Sequence, residues 1–136
     1  MSGPVLPDLR DVGAFLRSVD VVFDETTGQR VTAHAELTAE HHTPWGVVHG
    51  GVYTTIIESA ASIGASIAAM EQRQFAVGVN NNTDFIRAMK TGRIDVLAEP
   101  VNQGRTQQLW QVVITRVEDG KDVARGTVRL QNIPLP

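Results

Sequence analysis

The spacing of apolar and polar positions changes character several times along this chain. Leu9, Val12, Phe15 and Leu16 recur at helical intervals behind Asp8, a residue type that caps helix starts, so a short lead-in helix is predicted over residues 8–16. From Val21 the period drops to two. Val21-Val22-Phe23 and the run from Arg30 to Leu37, where Val31, Ala33, Ala35 and Leu37 alternate with polar residues, predict two strands around a hairpin loop at 24–29. Residues 38–49, TAEHHTPWGVVH, mix polar side chains with Pro44 and Gly46 and predict a loop. A long helix is predicted from Gly50 to Met70. Its positions Val52, Ile56, Ile57, Ala60, Ile63, Gly64, Ile67 and Ala68 are apolar or small around much of the circumference, the pattern of a helix enclosed by a curved sheet. Four further strands follow at 75–86, 93–101, 105–117 and 122–133, rich in Val, Ile, Leu and Thr. The sharpest turn signal is Glu118-Asp119-Gly120-Lys121, because Asp-Gly accepts the positive φ angles of a tight reversal.

These elements add up to one long central helix wrapped by about six mostly antiparallel strands, an α+β layout in a single domain over residues 1–136, with 1–19 as a helical lead-in. A chain of 136 residues with 42% hydrophobic content can bury roughly two-thirds of its unfolded surface in one core. An open sheet of this kind leaves an edge and an apolar patch, so self-association is expected.

Charge and composition remove several classes of function. The net charge is −3 and no run of five basic residues occurs, which argues against nucleic-acid binding by phosphate neutralisation. The chain has no cysteine, so disulfides, thiolate metal sites and cysteine nucleophiles are all excluded. The opening residues lack the basic-then-apolar layout of a signal peptide, and a cytoplasmic location is the expectation. Residues 50–70 are long enough to cross a bilayer, but Glu58 and five Ser or Thr make a buried helix the better reading, with no membrane partner. His34, His41, His42 and His49 show no HExxH-like helical pair, so no metal site is expected.

One carboxylate stands out. In GVVHGGVYTTIIESAAS, residues 46–62, Glu58 is the lone acid among small and apolar residues, where an unpartnered charge is expensive to bury.

The residues Gly46-Val47-Val48-His49-Gly50-Gly51, with Glu58-Ser59 and Ser62, resemble the PaaI-like hotdog thioesterases, the group of glutamate-type 4-hydroxybenzoyl-CoA and 1,4-dihydroxy-2-naphthoyl-CoA thioesterases. A second block is similar to the downstream strands of that group: Val77-Gly78-Val79 through Phe85-Ile86-Arg87, then Lys90-Thr91-Gly92, Gly104-Arg105 and Leu109-Trp110-Gln111. The likeness covers about residues 20–133 and implies a hotdog fold, acyl-CoA as substrate, no separate cofactor, and assembly as a homodimer or homotetramer. Two departures matter. The group usually has Asn or Gln six residues before the motif histidine, where this chain has Thr43, and many relatives have Pro where it has Ala88.

The residue types suit thioester hydrolysis. A thiol with a pKa of about 8.5 leaves without a strong general acid. Backbone N–H groups of Gly50 and Gly51 at a helix start favour developing negative charge, and the resemblance makes Gly50 the contact for the thioester oxygen. Glu58 follows Gly50 by eight residues, about 12 Å along a helix, so one carbonyl cannot meet both within a chain and two subunits are expected to build the site. Glu58 then serves as general base or as nucleophile, the residues leaving both open. Ser62, one turn on, is placed to bond the carboxylate or water, and His49 to orient the loop or polarise the carbonyl. Trp45 is positioned to border the acyl pocket, and Arg87, Lys90 and Arg105 are the candidate cations for the coenzyme A phosphates. The rival readings are a non-catalytic acyl-CoA-binding sensor and a hotdog dehydratase or hydratase.

Overall fold

The computed structural model describes residues 6–9 and 11–136. The lead-in is less helical than its spacing predicts. Asp11 N–H donates to the Asp8 carbonyl at 2.9 Å in a turn, and the helix α1 covers only Gly13–Arg17, behind Val12 and without a side-chain cap. Gly13, at φ +72°, sets the entry to that helix, which explains why the Leu9–Leu16 pattern does not run on as one element. Arg10, inside the predicted helix, lies outside the described residues.

Strands β1 (Val22–Thr26) and β2 (Val31–Leu37) form the first hairpin. After the loop comes α2 (Gly50–Ala69), then β3 (Gln74–Phe85), β4 (Gly92–Gln103), β5 (Gln107–Arg116) and β6 (Asp122–Pro134). All pairings are antiparallel, in the order β1-β2-β4-β5-β6-β3, so β3 crosses to the far side of the sheet and becomes an edge. The β5–β6 turn carries Gly120 at φ +72°, as the Asp-Gly signal predicts. Arg116 Nε bonds Asp119 Oδ1 at 3.0 Å there, and this bond holds the Asp119 carboxyl well below the usual carboxylate range.

The sheet curls around α2, which packs against all six strands. Strand β2 alternates Val31, Ala33, Ala35 and Leu37 inward, and β5 turns in Gln108, Trp110, Val112 and Ile114. The helix sits flush on this surface at Gly64: a Cβ there would come within 2.3 Å of the Trp110 ring. Trp110 is fully buried, and its indole N–H donates to Gln108 Oε1 at 2.9 Å. Gln108 in turn donates to the Ala65 carbonyl and to Asn132 Oδ1, both at 2.9 Å. This closed polar network lines a cavity of about 270 Å³ at the C-terminal end of α2. Its amides satisfy one another, so it is a device for seating the sheet on the helix end.

Candidate active site

The loop before α2 is a compact turn. Thr43 N–H donates to the Val47 carbonyl at 2.8 Å and Gly46 N–H to the Thr43 carbonyl at 3.0 Å, with Gly46 at φ +78°. The Thr43 hydroxyl accepts from Trp45 N–H at 3.1 Å, so its oxygen serves the turn. Trp45 at the tip is 90% exposed and packs into no core. Two bonds tie this loop to the segment after β3: Val48 N–H to the Met89 carbonyl at 2.8 Å, and His42 Nε2 to the Lys90 carbonyl at 2.6 Å.

The tip of α2 follows from its cap. His49 is the N-cap, and its Nδ1 accepts from Gly51 N–H at 2.8 Å, while Val52 N–H donates to the His49 carbonyl at 3.0 Å. Gly50 N–H is left without a hydrogen-bond partner among the described residues. Gly51, expected to offer its own amide to substrate, has given it to His49; this corrects the sequence reading. With Nδ1 accepting, the neutral His49 ring carries its proton on Nε2, a donor and not a base at that atom. The close approach of Phe85 explains the glycine at 50, because a Cβ there would lie 3.0 Å from the Phe85 ring. Between the helix tip and the segment after β3 is a cleft of about 420 Å³ lined by Val48, Gly50, Tyr53, Phe85, Arg87 and Met89.

Glu58 sits two turns along α2 and is exposed, which corrects the expectation of an acid in apolar surroundings. The sheet ends on this side of the helix, because β3 is an edge and no described strand pairs beyond it. The carboxylate lies over Gly78 of β3, where a Cβ would be 3.5 Å from Oε1. It has no hydrogen-bond or ion-pair partner among the described residues. Ser62 shares a small cleft with it, about 220 Å³, bordered on the other side by Leu9, Asp11, Val12 and Leu16 of the lead-in.

The cations divide. Arg87 lines the cleft at Gly50 and donates from Nη1 to the Asp122 carbonyl at 2.7 Å, leaving the rest of its guanidinium outward. Lys90 is exposed on the same segment. Arg105 belongs to the β4–β5 turn, where its carbonyl accepts from Asn132 Nδ2 at 3.2 Å, at the opposite end of α2. Within one chain the three do not form a single patch.

Two residues that the spacing did not single out belong to this region. Tyr53, 3% exposed, lines the cleft one turn from Gly50, and its hydroxyl has no hydrogen-bond partner among the described residues. Burial pushes its phenol up to about 12, against an opposing pull from Arg116. Asn81 of β3 donates from Nδ2 to the Thr54 carbonyl at 3.2 Å, tethering the edge strand to the helix midway between Gly50 and Glu58. The signal for Tyr53 was its i+3 spacing from Gly50; Asn81 had none without the strand pairing. No group of three His, Asp or Glu side chains that could hold a metal occurs among the described residues.

A helix enclosed by an antiparallel sheet of this order, with a bare amide at its tip and a bare carboxylate two turns on, defines a hotdog protein. A family model of the thioesterase superfamily matches residues 46–123, and the chain belongs to that superfamily. A Mycobacterium tuberculosis protein named as a candidate esterase is 52% identical over 90 residues, 65% of this chain and 64% of that protein, less than two-thirds of its length. The solved structure of that M. tuberculosis esterase superimposes with a TM-score of 0.86 and 41% identity, covering 90% of this chain and 98% of that one. A thioesterase structure from Haemophilus influenzae gives a TM-score of 0.83 at 25% identity, covering 92% and 86%. The 1,4-dihydroxy-2-naphthoyl-CoA thioesterase 2 of Arabidopsis thaliana is 38% identical over 99 residues, 71% of this chain and 61% of that protein.

Proposed function

We propose that this chain is an acyl-CoA thioesterase that acts as a homodimer, with Glu58 of one copy facing the Gly50 amide of the other. The observation that carries the reading is that both groups lack partners among the described residues yet flank the same free edge strand. Strand β3 supports the pairing. A two-fold axis at Asn81 sets Gly78 of one copy opposite Asp84 of the other, beside Phe85 and therefore beside the Gly50 amide. Because Asn81 is tethered at Thr54, four residues from each group, the same axis lays the two helices antiparallel and brings acid to amide twice.

In that arrangement the Gly50 N–H and the positive end of α2 stabilise charge developing on the thioester oxygen. Water adds to the carbonyl carbon while Glu58 takes its proton, the C–S bond breaks, and the proton passes to the departing thiolate. The nucleophilic variant gives a Glu58 anhydride that water then opens. The Nε2–H of His49 is available to the carbonyl, and Arg87 and Lys90 stand where the coenzyme A phosphates leave the cleft. An aromatic acyl group of the dihydroxynaphthoyl kind is supported by the A. thaliana relative's name.

Thiol release across a panel of acyl-CoAs tests this. Turnover by the wild type and a loss of at least ~10²-fold in kcat for Glu58→Gln are expected, the scale of a positioned base. Near-normal turnover by the variant would remove Glu58 from the chemistry. The inward commitment of the Thr43 hydroxyl favours one second reading, a binder without hydrolysis, which tight binding with no thiol release in the wild type would select.

A further inference from the structure

Of the four histidines only His41 is buried, and the proposed hydrolysis does not use it. A polar ring is kept inside a protein where its nitrogens are bonded. Both nitrogens are. Nδ1 accepts from the Thr38 N–H at 2.9 Å, while Nε2 faces the Ser18 carbonyl at 3.1 Å and Asp20 Oδ2 at 3.4 Å. A backbone N–H on one side and two oxygens on the other fix the proton of the neutral ring on Nε2. The ring thus makes one bond as acceptor and one as donor.

The two bonds differ in what they join. Thr38 directly follows β2, and its bond to Nδ1 repeats a tie that the backbone already makes, because His41 N–H donates to the Thr38 carbonyl at 3.0 Å. Ser18 instead closes α1, and α1 with the residues before it borders the Glu58 cleft at Leu9, Asp11, Val12 and Leu16. The Nε2 bond therefore links the segment beside the acid to the loop beside the amide. The His41 carbonyl continues the link by accepting from His49 N–H at 2.8 Å, which, with the Thr43–Val47 bond and the bridge between His42 and Val48, closes the site loop into a narrow ladder. His49 stands at the foot of this ladder. From there it caps α2 through Gly51 N–H and leaves the Gly50 N–H open among the described residues. Met89 and Lys90 pin the ladder on one side, and the His41 ring pins its foot.

We infer that His41 is a positioning residue for the Gly50 amide: it touches no substrate and acts through its bond to Ser18 and its carbonyl on His49. The inference rests on the thioesterase reading for its effect on rate, but its effect on the helix tip is measurable without turnover. His41→Leu removes both ring bonds. In that variant kcat is expected to fall about 10- to 10²-fold, the scale of a misplacement near 1 Å, with KM within about threefold because Arg87 and Lys90 are untouched. Amide hydrogen exchange on the free protein, read by NMR, should quicken about tenfold or more at His49 and Gly51, while the amides of β5 keep their protection. Two amide variants then separate the bonds, since Gln carries a donor at the same remove from Cα as Nε2 and Asn an acceptor at the same remove as Nδ1. His41→Gln keeps the Ser18 bond and should stay within about threefold of wild type in kcat and in exchange. His41→Asn keeps only the duplicated bond and should behave as the Leu variant. Circular dichroism verifies folding, and the Gln and Asn pair decides the matter if the Leu variant fails to fold.

Gln and Asn variants that match each other, exchange that quickens evenly over all amides, or wild-type exchange at His49 and Gly51 in a folded Leu variant would overturn the role of His41. Exchange that quickens at the helix tip and is restored by Gln alone, together with a wild type that releases no thiol from any acyl-CoA, would keep that role and reject the thioesterase reading.

Discussion

The Glu58 carboxylate lies directly over Gly78, with Oε1 3.5 Å from where a Cβ would stand. The acid is thus carried by the helix but aimed by the edge strand. At that distance one methyl group is an ordinary contact and a larger side chain is not. Gly78→Ala is expected to keep kcat within about threefold of wild type, whereas Gly78→Leu displaces the carboxylate and lowers kcat by roughly 10²-fold, the scale of a misplacement near 1 Å. Steady-state thiol release, with circular dichroism to verify folding, measures both.

The free edge of β3 is where the second copy is proposed to dock, and strand pairing needs backbone N–H groups. Val79 is exposed and sits at the register shift between Gly78 and Asn80 in the β3–β6 pairing. Val79→Pro fixes φ and removes a backbone donor in the middle of the strand that the second copy is proposed to pair with, and circular dichroism verifies that the variant folds. Sedimentation equilibrium should report a monomer, and turnover should fall with the dimer. A dimer that persists with full activity would refute pairing through β3.

Gly64 is the point at which helix and sheet touch most closely. Alanine has the higher helix propensity by about 1 kcal/mol, yet its methyl would meet the Trp110 ring at 2.3 Å. The clash outweighs propensity. Gly64→Ala is expected to destabilise the fold by about 1–3 kcal/mol in urea titration, the range for overpacked cores.

Tyr53 offers a pH test. Its phenol, ordinarily at 10.0, is pushed up to about 12 by burial, so the folded state holds the proton that the unfolded state releases. That stability is complete below pH 10 and is lost as pH rises through about 12. The chain has one tyrosine, so phenolate absorbance reads this group alone. Tyr53→Phe, which removes a buried hydroxyl with no hydrogen-bond partner among the described residues, should be neutral or stabilising by about 1 kcal/mol and should flatten this part of the alkaline limb.

The helix from Gly50, the alternation of β2 and the Asp119-Gly120 turn were legible because each rests on local periodicity or local φ preference. The Gly50 amide was legible for the same reason: cap, glycine and helix start are neighbours in sequence. Nonlocal pairing was not. That β3 leaves its hairpin order to lie beyond β6 decides which face of α2 is bare, and hence that Glu58 is exposed within the chain. The Gln108–Asn132–Trp110 network was equally hidden, since a glutamine in a strand looks polar whether it faces water or an indole. Arg105 matched by motif but stands at the other end of the helix from Arg87, a separation that only the β4–β5 turn reveals. Leu9 and Leu16 share a helical spacing in the sequence; what they share in the fold is a border on the Glu58 cleft.

The two tryptophans occupy opposite environments, Trp45 almost fully in solvent at the tip of the site loop and Trp110 sealed beneath the helix. The molecule therefore contains its own pair of optical probes. A quencher added to the solution silences Trp45 first, so a ligand settling against that loop registers as a change in one emission band while the other reports that the core has stayed intact.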